Sequence, residues 1–243
     1  MLLAVDVGNT NITFGLFEGK SLLRKFDIHS KGYCRNKLKR FLRKTPVDKN
    51  AICSVVPRLT GIIARDLVFL TGARVYIIGK DIRVPMKNLY RRPGQLGQDR
   101  LINAYAAVKL YRVPAIVVDC GTAVTFDVIS SNREYLGGMI LPGLNISLAA
   151  LHERTALLPK VKLSKPKEFI GRDTESSILS GLVYGMAASV DDLNRRIKQK
   201  VGSNALVVGT GGCVRLISGY SKSITRIDPD LTLKGLALIS KNL

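Results

Sequence analysis

The chain has 243 residues, of which 46% are hydrophobic, and its 38 basic and 18 acidic side chains give a formal net charge of +20. This length allows one large domain or two small ones, each with a buried core. The apolar runs are shorter than a membrane span and the N-terminus lacks a signal-peptide pattern, so we expect a soluble cytoplasmic protein with no membrane partner.

The four cysteines are widely spaced without a CxxC pair, and the chain has only two histidines. A zinc site or a disulfide framework is therefore not expected. The thiols are predicted to be reduced and mostly buried.

The basic residues are concentrated in three segments, at residues 20–44, 160–167 and 195–200. Such a surplus of positive charge attracts polyanions. However, the basic side chains are not interleaved with stacking aromatics, and no known nucleic-acid motif surrounds them. A solvated basic face is favoured over a dedicated nucleic-acid surface, so nucleic acid is not an expected partner.

The first nineteen residues predict a β-hairpin with a carboxylate at the end of its first strand. The apolar run 2–5 leads to Asp6, the sequence GNT at 8–10 forms a turn, and apolar residues alternate over 12–16. Gly8 lets backbone approach a ligand closely. An acid beside donor-rich backbone suits a cation held between the acid and a phosphate. From this stretch alone, the alternative is a hairpin whose Asp and Asn only satisfy the turn.

The patterns that follow predict a mixed sheet covered by helices. Strands are predicted at Leu22–Ile28, Ala51–Val56 and Arg74–Ile78, helices at Arg35–Lys44 and Leu59–Leu70, a loop at Met86–Gly97, and a helix from GQDR to about Tyr111.

A strand that begins at Ala115–Val118 leads to an internal repeat. Asp119, Gly121, Thr122, Thr125 and Phe126 match Asp6, Gly8, Thr10, Thr13 and Phe14 when a gap is placed opposite Asn9. Two matching hairpins more than a hundred residues apart predict duplicated domains, each presenting an acid and a phosphate loop. We therefore expect domains at 1–112 and 113–243.

After the second hairpin, the glycines and proline of 137–143 predict a turn into a helix ending near Arg154, followed by a basic loop at 160–168. Asp173 and Thr174 are N-cap candidates for a long helix at 175–200.

Gly181 and Gly185 lie one turn apart on that long helix. A helical glycine costs about 1 kcal/mol relative to alanine, so close packing is expected, either within the monomer or in a dimer. The sequence ALVVGTGG at 205–212 predicts a strand, a glycine turn and a helix, a turn type that lets a nucleotide lie against backbone.

A series of motifs covers nearly the whole chain: DVGNTNITFG at Asp6–Gly15, SVVP at Ser54–Pro57, YRRPGQLGQDR ending at Arg100, DCGTAVTFD at Asp119–Asp127, GGMILPGL at Gly137–Leu144, RTALLP at Arg154–Pro159, IGRDTESSILSG at Ile170–Gly181, and DLTLKGL near the end. In this order they resemble the type III pantothenate kinases of the actin and sugar-kinase superfamily. The resemblance implies an α/β protein with two ribonuclease-H-like domains, each a mixed five-stranded sheet with flanking helices, in a duplicated actin/sugar-kinase-like fold.

The resemblance also implies the activity: ATP-dependent phosphorylation of pantothenate to 4′-phosphopantothenate, the first step of coenzyme A biosynthesis. Asp99 matches the catalytic base, and a carboxylate there can accept the hydroxyl proton. A helix N-cap or first-turn acid is the alternative for Asp99, and the two roles can coexist. Arg100 matches a substrate position where a guanidinium can pair with a carboxylate or phosphate.

The remaining site residues are carried over from the same resemblance. ATP is expected at Asp6, Val7, Gly8, Asn9, Thr10, Asn11, Ile12, Thr13 and Thr122, with a weaker placement of Gly209, Gly211 and Gly212 at the adenosine edge. Pantothenate is expected at Tyr90, Gly97, Gln98, Asp99, Arg100 and Thr174. Asp6 is expected to hold Mg²⁺ through water, and Asp119 a monovalent cation, K⁺ or NH₄⁺. A homodimer is implied, which agrees with Gly181 and Gly185.

The chain departs from expectation in Arg91 and Arg92, which make the substrate loop more basic. Two rival functions remain at this point. One is a catalytically inactive, DNA-associated accessory protein of the same fold, and the other is a kinase of this fold for another small hydroxylated molecule.

Overall fold

The computed structural model describes residues 1–43 and 45–242. The strands are β1 (Leu2–Val7), β2 (Asn11–Glu18), β3 (Ser21–His29), β4 (Lys49–Ser54), β5 (Arg74–Ile77), β6 (Ala115–Cys120), β7 (Ala123–Ile129), β8 (Tyr135–Pro142), β9 (Leu206–Thr210) and β10 (Arg226–Ile227). The helices are α1 (Arg35–Leu42), α2 (Pro57–Thr71), α3 (Gln98–Leu110), α4 (Leu144–Arg154), α5 (Thr174–Val201), α6 (Val214–Ser218) and α7 (Leu231–Ile239). Short 3₁₀ helices occur at Ser30–Gly32, Pro93–Gln95 and Ser240–Asn242.

The chain forms two compact units. The first comprises residues 1–87, 91–109 and the segment from Leu231 onward, and the second comprises 88–90 and 110–230. This differs from the predicted division at 112 and 113, because α7 returns to the first unit. Its Leu231 and Leu236 are completely buried there, and α7 packs on β1.

The first unit is built on a mixed sheet of five strands in the order β3-β2-β1-β4-β5. β1 pairs antiparallel with β2 and parallel with β4. The apolar residues that alternate along these strands are completely buried, among them Val5, Phe14 and Ile52. α2 closes this core with Ile63, which is also completely buried.

The second unit repeats this arrangement in the order β10-β9-β6-β7-β8. β6 pairs antiparallel with β7 and parallel with β9, as β1 does with β2 and β4. Its own core contains Val118, Phe126, Val190 and Val207. The prediction of a duplicated α/β fold with two mixed five-stranded sheets and flanking helices is confirmed.

Two predicted elements differ from the structure. Residues 137–143 were expected to turn, but Tyr135–Pro142 is strand β8, paired antiparallel with β7. Because β8 is an edge strand, its glycines and Pro142 do not interrupt a central ladder. The helix predicted at Arg35–Lys44 ends at Leu42, since Arg43 adopts a φ of 51°; Lys44 lies outside the described residues.

The helix termini follow local rules. α2 begins with Pro57 at its first position, where no N–H is needed. It ends at Gly72, which is left-handed and donates its N–H to Val68 O at 2.9 Å. No helix in the described part of the chain combines the length and apolar content that crossing a membrane requires.

Candidate active site

The turn between β1 and β2 is the first candidate phosphate loop. The strand register pairs Asp6 with Thr13 and leaves residues 8–11 in the turn. The N–H of Gly8 donates to Asn11 O at 3.0 Å, and this bond closes the turn. Asp6 is thereby fixed at the end of β1, immediately before a tight loop of peptide groups.

Ser30 fastens this loop from the end of β3. Its Oγ donates to Gly8 O at 2.7 Å, and its backbone N–H donates to Thr10 O at 2.8 Å. Ser30 is buried. Sequence reasoning missed this residue, because nothing local to Ser30 indicates that β3 returns to the turn.

The side chains predicted to contact ATP in this hairpin are not equivalent. Asn9, Thr10 and Asn11 are exposed. Val7 and Ile12 are completely buried, so they can offer only backbone groups to a nucleotide. Thr13 Oγ1 donates to Asp27 Oδ1 at 2.7 Å, so this hydroxyl already has a partner.

Asp99 lies in the first turn of α3. Burial raises the pKa of its carboxyl, and this effect is opposed by Arg100, whose backbone N–H donates to Asp99 Oδ1 at 2.8 Å. The carboxylate therefore does have the first-turn role that was the alternative reading. A carboxylate with a raised pKa is also a stronger proton acceptor.

The buried thiol of Cys53 is affected by the charges of both Asp6 and Asp99. Cys53 is paired with Asp6 across β1 and β4 and is completely buried. Burial raises its pKa well above the usual range, and the negative charges of Asp6 and Asp99 raise it further. The charges of both Asp6 and Asp99 thus act on the buried Cys53 thiol, which stays neutral.

Gly97 and Gln98 immediately precede Asp99. A Cβ added at Gly97 would lie 2.5 Å from Oδ1 of Asp99, so the carboxylate folds back over the glycine. The side chain of Gln98 lies against Gly79, where an added Cβ would come within 2.8 Å of its Cδ. Arg100 is 8% exposed and is therefore a buried cation at the start of α3.

The turn between β6 and β7 is the second candidate phosphate loop. The register pairs Asp119 with Thr125, equivalent to Asp6 with Thr13, and leaves residues 121–123 in the turn. This turn is one residue shorter than the first, as the gap in the sequence repeat requires. The N–H of Gly121 closes it onto Ala123 O at 3.1 Å.

Two glycines from other segments enclose this second turn. The N–H of Gly143 donates to Thr122 O at 3.1 Å, and an added Cβ there would lie 2.3 Å from the same oxygen. Gly211 has a φ of +87°, and its added Cβ would lie 2.3 Å from Asp119 Oδ1. The adjacent Cys120 thiol is buried, which raises its pKa to about 12, with smaller contributions from Asp119 and Cys213.

The other predicted contacts lie elsewhere in the second unit. Tyr90 packs near Tyr135, with ring centroids 6.3 Å apart. Thr174 is the exposed first residue of α5. Asp173 is the N-cap, and its carboxylate accepts a hydrogen bond from the Ser176 N–H at 2.7 Å. This bond holds the pKa of Asp173 below its usual value.

The glycines predicted at the adenosine edge divide into two kinds. Gly209 is buried in β9, and an added Cβ would lie 2.6 Å from Cγ2 of Val214 and 2.9 Å from Cγ2 of Ile224. The packing of the strand therefore explains this glycine, and its placement at a nucleotide stays a prediction. Gly212 is exposed, with open space at its Cβ position.

The described residues contain no group of three or more His, Cys, Asp or Glu side chains that could hold a metal ion. Asp6 and Asp119 instead present one carboxylate each at the end of a strand. The single carboxylate of Asp6 fits Mg²⁺, which keeps several waters and takes further ligands from substrate phosphates, rather than a cation enclosed by protein.

Two sheets of equivalent order, each with an acid beside a glycine turn, define the actin and sugar-kinase class of folds. The chain is similar over 99% of its length to the structure of a Campylobacter jejuni protein described as a Baf family transcriptional activator, with a TM-score of 0.63, 21% identity and 98% of that chain covered. It is also similar to a Sinorhizobium meliloti protein described as a 2-dehydro-3-deoxygalactonokinase, with a TM-score of 0.57, 13% identity and coverage of 100% and 99% of the two chains. At these identities the likeness concerns the fold.

Sequence relatives identify the family within this class. The profile of the type III pantothenate kinases matches residues 2–196. Type III pantothenate kinases of Anaeromyxobacter dehalogenans and Syntrophus aciditrophicus are each 39% identical to the chain, with 98% and 99% of both sequences covered, respectively. The chain belongs to the type III pantothenate kinase family.

Proposed function

We propose that this chain transfers the γ-phosphoryl group of ATP to the primary hydroxyl of pantothenate, giving 4′-phosphopantothenate and ADP as the first step of coenzyme A biosynthesis. The observation that carries the proposal is the 39% identity to type III pantothenate kinases along nearly the whole chain. The rival of an inactive DNA-associated protein is not favoured, because these relatives are named as kinases.

Asp99 is the general base in this proposal. It accepts the hydroxyl proton as the oxygen attacks the γ-phosphorus and the bond to ADP breaks. Its support is threefold: burial raises its pKa, its charge and that of Asp6 both act on the buried Cys53 thiol, and Gly97 leaves room for the carboxylate. Arg100 supplies positive charge for an anionic group of the substrate.

Each loop is proposed to bind phosphate groups through its own donors. The exposed Asn9, Thr10 and Asn11 and the peptide groups of both turns are the donors. Mg²⁺ at Asp6 through water, and K⁺ or NH₄⁺ at Asp119, supply positive charge that offsets the repulsion between these acids and the phosphates. Cys53 and Cys120 remain neutral and add no charge.

A homodimer is part of the proposal. Gly181 and Gly185 are exposed on α5, and a Cβ added at either would meet no atom within 4 Å. Packing inside the monomer therefore does not explain these glycines, and the reading that remains from the sequence is close approach of a second copy. A cytoplasmic location is also proposed, since the four thiols are free, as is usual in a reducing compartment.

The test is Asp99→Asn, with Asp48→Asn as the matched control of equal charge change. Asp48 is exposed, and its carboxylate pairs with the N-terminal ammonium group. We expect Asp99→Asn to lower kcat by about 10²- to 10⁴-fold and the control to leave it unchanged, with folding checked by circular dichroism. A folded Asp99→Asn protein that phosphorylates pantothenate at nearly the wild-type rate would refute the role of Asp99.

A further inference from the structure

One of the three basic segments forms a cationic helix face without any nearby acid in the sequence. Residues 28–47 contain no Asp or Glu. Within this segment, α1 buries Leu38, Phe41 and Leu42. All of its other side chains are exposed, namely Arg35, Asn36, Lys37, Lys39 and Arg40. The outward face of α1 is therefore entirely polar and mostly cationic.

The cations in the first turn of α1 are unfavourably placed for the helix. Its first turn contains Arg35 and Lys37 and no acid, although the N-terminus of a helix favours negative charge. Arg35 is compensated by its ion pair with the buried Asp66 of α2, and the Lys37 ammonium donates to Gly32 O at 3.2 Å. A helix of eight residues gains little from propensity alone. An anionic partner would offset the positive charge that Lys37 places in the first turn of the helix.

The basic residues at the end of α5 are compensated by other groups of the same helix. Asp192 accepts hydrogen bonds from both Arg195 and Arg196. Lys198 and Lys200 lie in the last turn of α5, where cations interact favourably with the helix dipole. Lys39 and Arg40 likewise lie in the last turn of α1. What distinguishes α1 is that the helix itself contains no acid to pair with its cations, whereas α5 contains Asp192.

The cationic face of α1 is held in a fixed position. The Arg24 guanidinium of β3 donates to Phe41 O and lies 4.7 Å from the centroid of the Phe41 ring. Phe26 stacks on the same ring at 5.3 Å. Arg35 Nε donates to the buried Asp66 of α2 at 2.7 Å. These interactions tie α1 to both neighbouring elements, so binding there would not have to order the backbone first.

We propose that this face is a docking surface for duplex nucleic acid, bound through its phosphates and independently of base sequence. We define the α1 basic surface as Lys31, Lys37, Lys39, Arg40 and Arg43, all of which are exposed. A helix of eight residues is about 12 Å long, and a duplex carries about one negative charge per 1.7 Å of its axis. Several phosphates thus lie within reach of the surface at once.

The chemistry of the face selects the duplex among polyanions. Single-stranded nucleic acid is bound by aromatic side chains on which bases stack, and helices that lie on membranes bury an apolar face in the lipid. The outward side chains of α1 include neither kind. Cations on a fixed helix instead match a phosphate backbone. The sequence alone favoured a solvated face; the placement of charge on α1 changes that interpretation for this segment.

The test compares two triple variants with the same change in net charge. Lys37→Gln/Lys39→Gln/Arg40→Gln removes three cations from the α1 basic surface. Lys160→Gln/Lys162→Gln/Lys165→Gln removes three exposed cations from the segment between α4 and α5. Binding to a fluorescently labelled 24-base-pair DNA duplex of arbitrary sequence is measured by anisotropy over a range of KCl concentrations, and folding is checked by circular dichroism.

We expect the wild type to bind the duplex with a strong salt dependence. The α1 variant should bind at least about tenfold more weakly at low salt, and its slope of log K against log salt should become shallower by about 0.9 for each phosphate that the protein no longer neutralises. The control should remain within about twofold of wild type. Equal weakening in both variants would show that net charge alone acts, and would overturn the proposal.

Two further probes complete the test. Tighter binding to a 24-nucleotide single strand would overturn the choice of duplex. Binding to phosphatidylserine vesicles that depends on α1, without duplex binding, would overturn nucleic acid as the partner. Kinase activity should be the same in both variants, because no residue of the α1 basic surface belongs to the proposed active site. Failure of this proposal therefore leaves the proposed kinase activity unaffected.

Discussion

Gly211→Ala should destabilise the second unit and disturb the acid at its phosphate loop. Gly211 has a φ of +87°, and an alanine Cβ would lie 2.3 Å from Asp119 Oδ1 and 2.7 Å from the carbonyl carbon of Cys120. A left-handed conformation costs a residue with a Cβ about 1–2 kcal/mol. Overpacking against backbone adds about 1–3 kcal/mol. The expected loss in free energy of unfolding is therefore about 2–5 kcal/mol.

Gly212→Ala is the matched control, since an added Cβ there meets no atom within 4 Å. Its expected effect is within about 0.5 kcal/mol of wild type, as for a surface substitution. Urea unfolding followed by circular dichroism measures both. The close approach of Gly211 to Asp119 is refuted if the free energies of unfolding of the two variants differ by less than about 0.5 kcal/mol. The proposed cation role of Asp119 adds that activity in Gly211→Ala should lose its dependence on K⁺.

Three further predictions concern the other site residues. Burial raises the pKa of Asp99, so the wild-type protein loses stability as pH rises from the usual 3.8 through the raised pKa. Asp99→Asn should therefore have a higher melting temperature than wild type near neutral pH in a thermal scan. A difference in melting temperature that does not narrow as pH falls toward 3.8 would contradict this. Ser30→Ala removes the hydrogen bond to Gly8 O, worth about 0.5–1.5 kcal/mol. It should raise the KM for ATP several-fold with a smaller change in kcat. An unchanged KM in steady-state kinetics would argue against a role of Ser30 in holding the loop. Asp173→Ala removes the N-cap of α5 and should lower the urea midpoint more than Thr174→Ala does, whereas equal midpoints would show that the cap contributes little.

The hairpins could be predicted from the sequence because their signals are local. An apolar strand, an acid, a glycine turn and an alternating strand all fall within about twenty residues, and the repeat shows that the pattern occurs twice. The structure confirms both hairpins and adds their registers, with Asp6 paired with Thr13 and Asp119 with Thr125. Asp99 came from the family resemblance, and the structure adds the burial that shifts its pKa.

The parts that sequence reasoning missed depend on residues far apart in the chain. Glycine and proline indicate a turn at β8 when read locally, but the edge of a sheet tolerates both. Ser30 is twenty-two residues from the loop that it fastens. α7 contributes to the first unit because its Thr232 bonds to Asn103 of α3, 129 residues earlier in the chain. No local pattern encodes such partners.

The central claim is that this chain phosphorylates pantothenate with ATP, and direct detection of the product tests it most directly. Purified protein is incubated with ATP, Mg²⁺, K⁺ and pantothenate, and 4′-phosphopantothenate is quantified by mass spectrometry beside the Asp99→Asn variant. The account predicts product in step with ADP for the wild type and a loss of about 10²- to 10⁴-fold for the variant. ADP without phosphopantothenate, or no turnover by a folded wild-type protein, would contradict it.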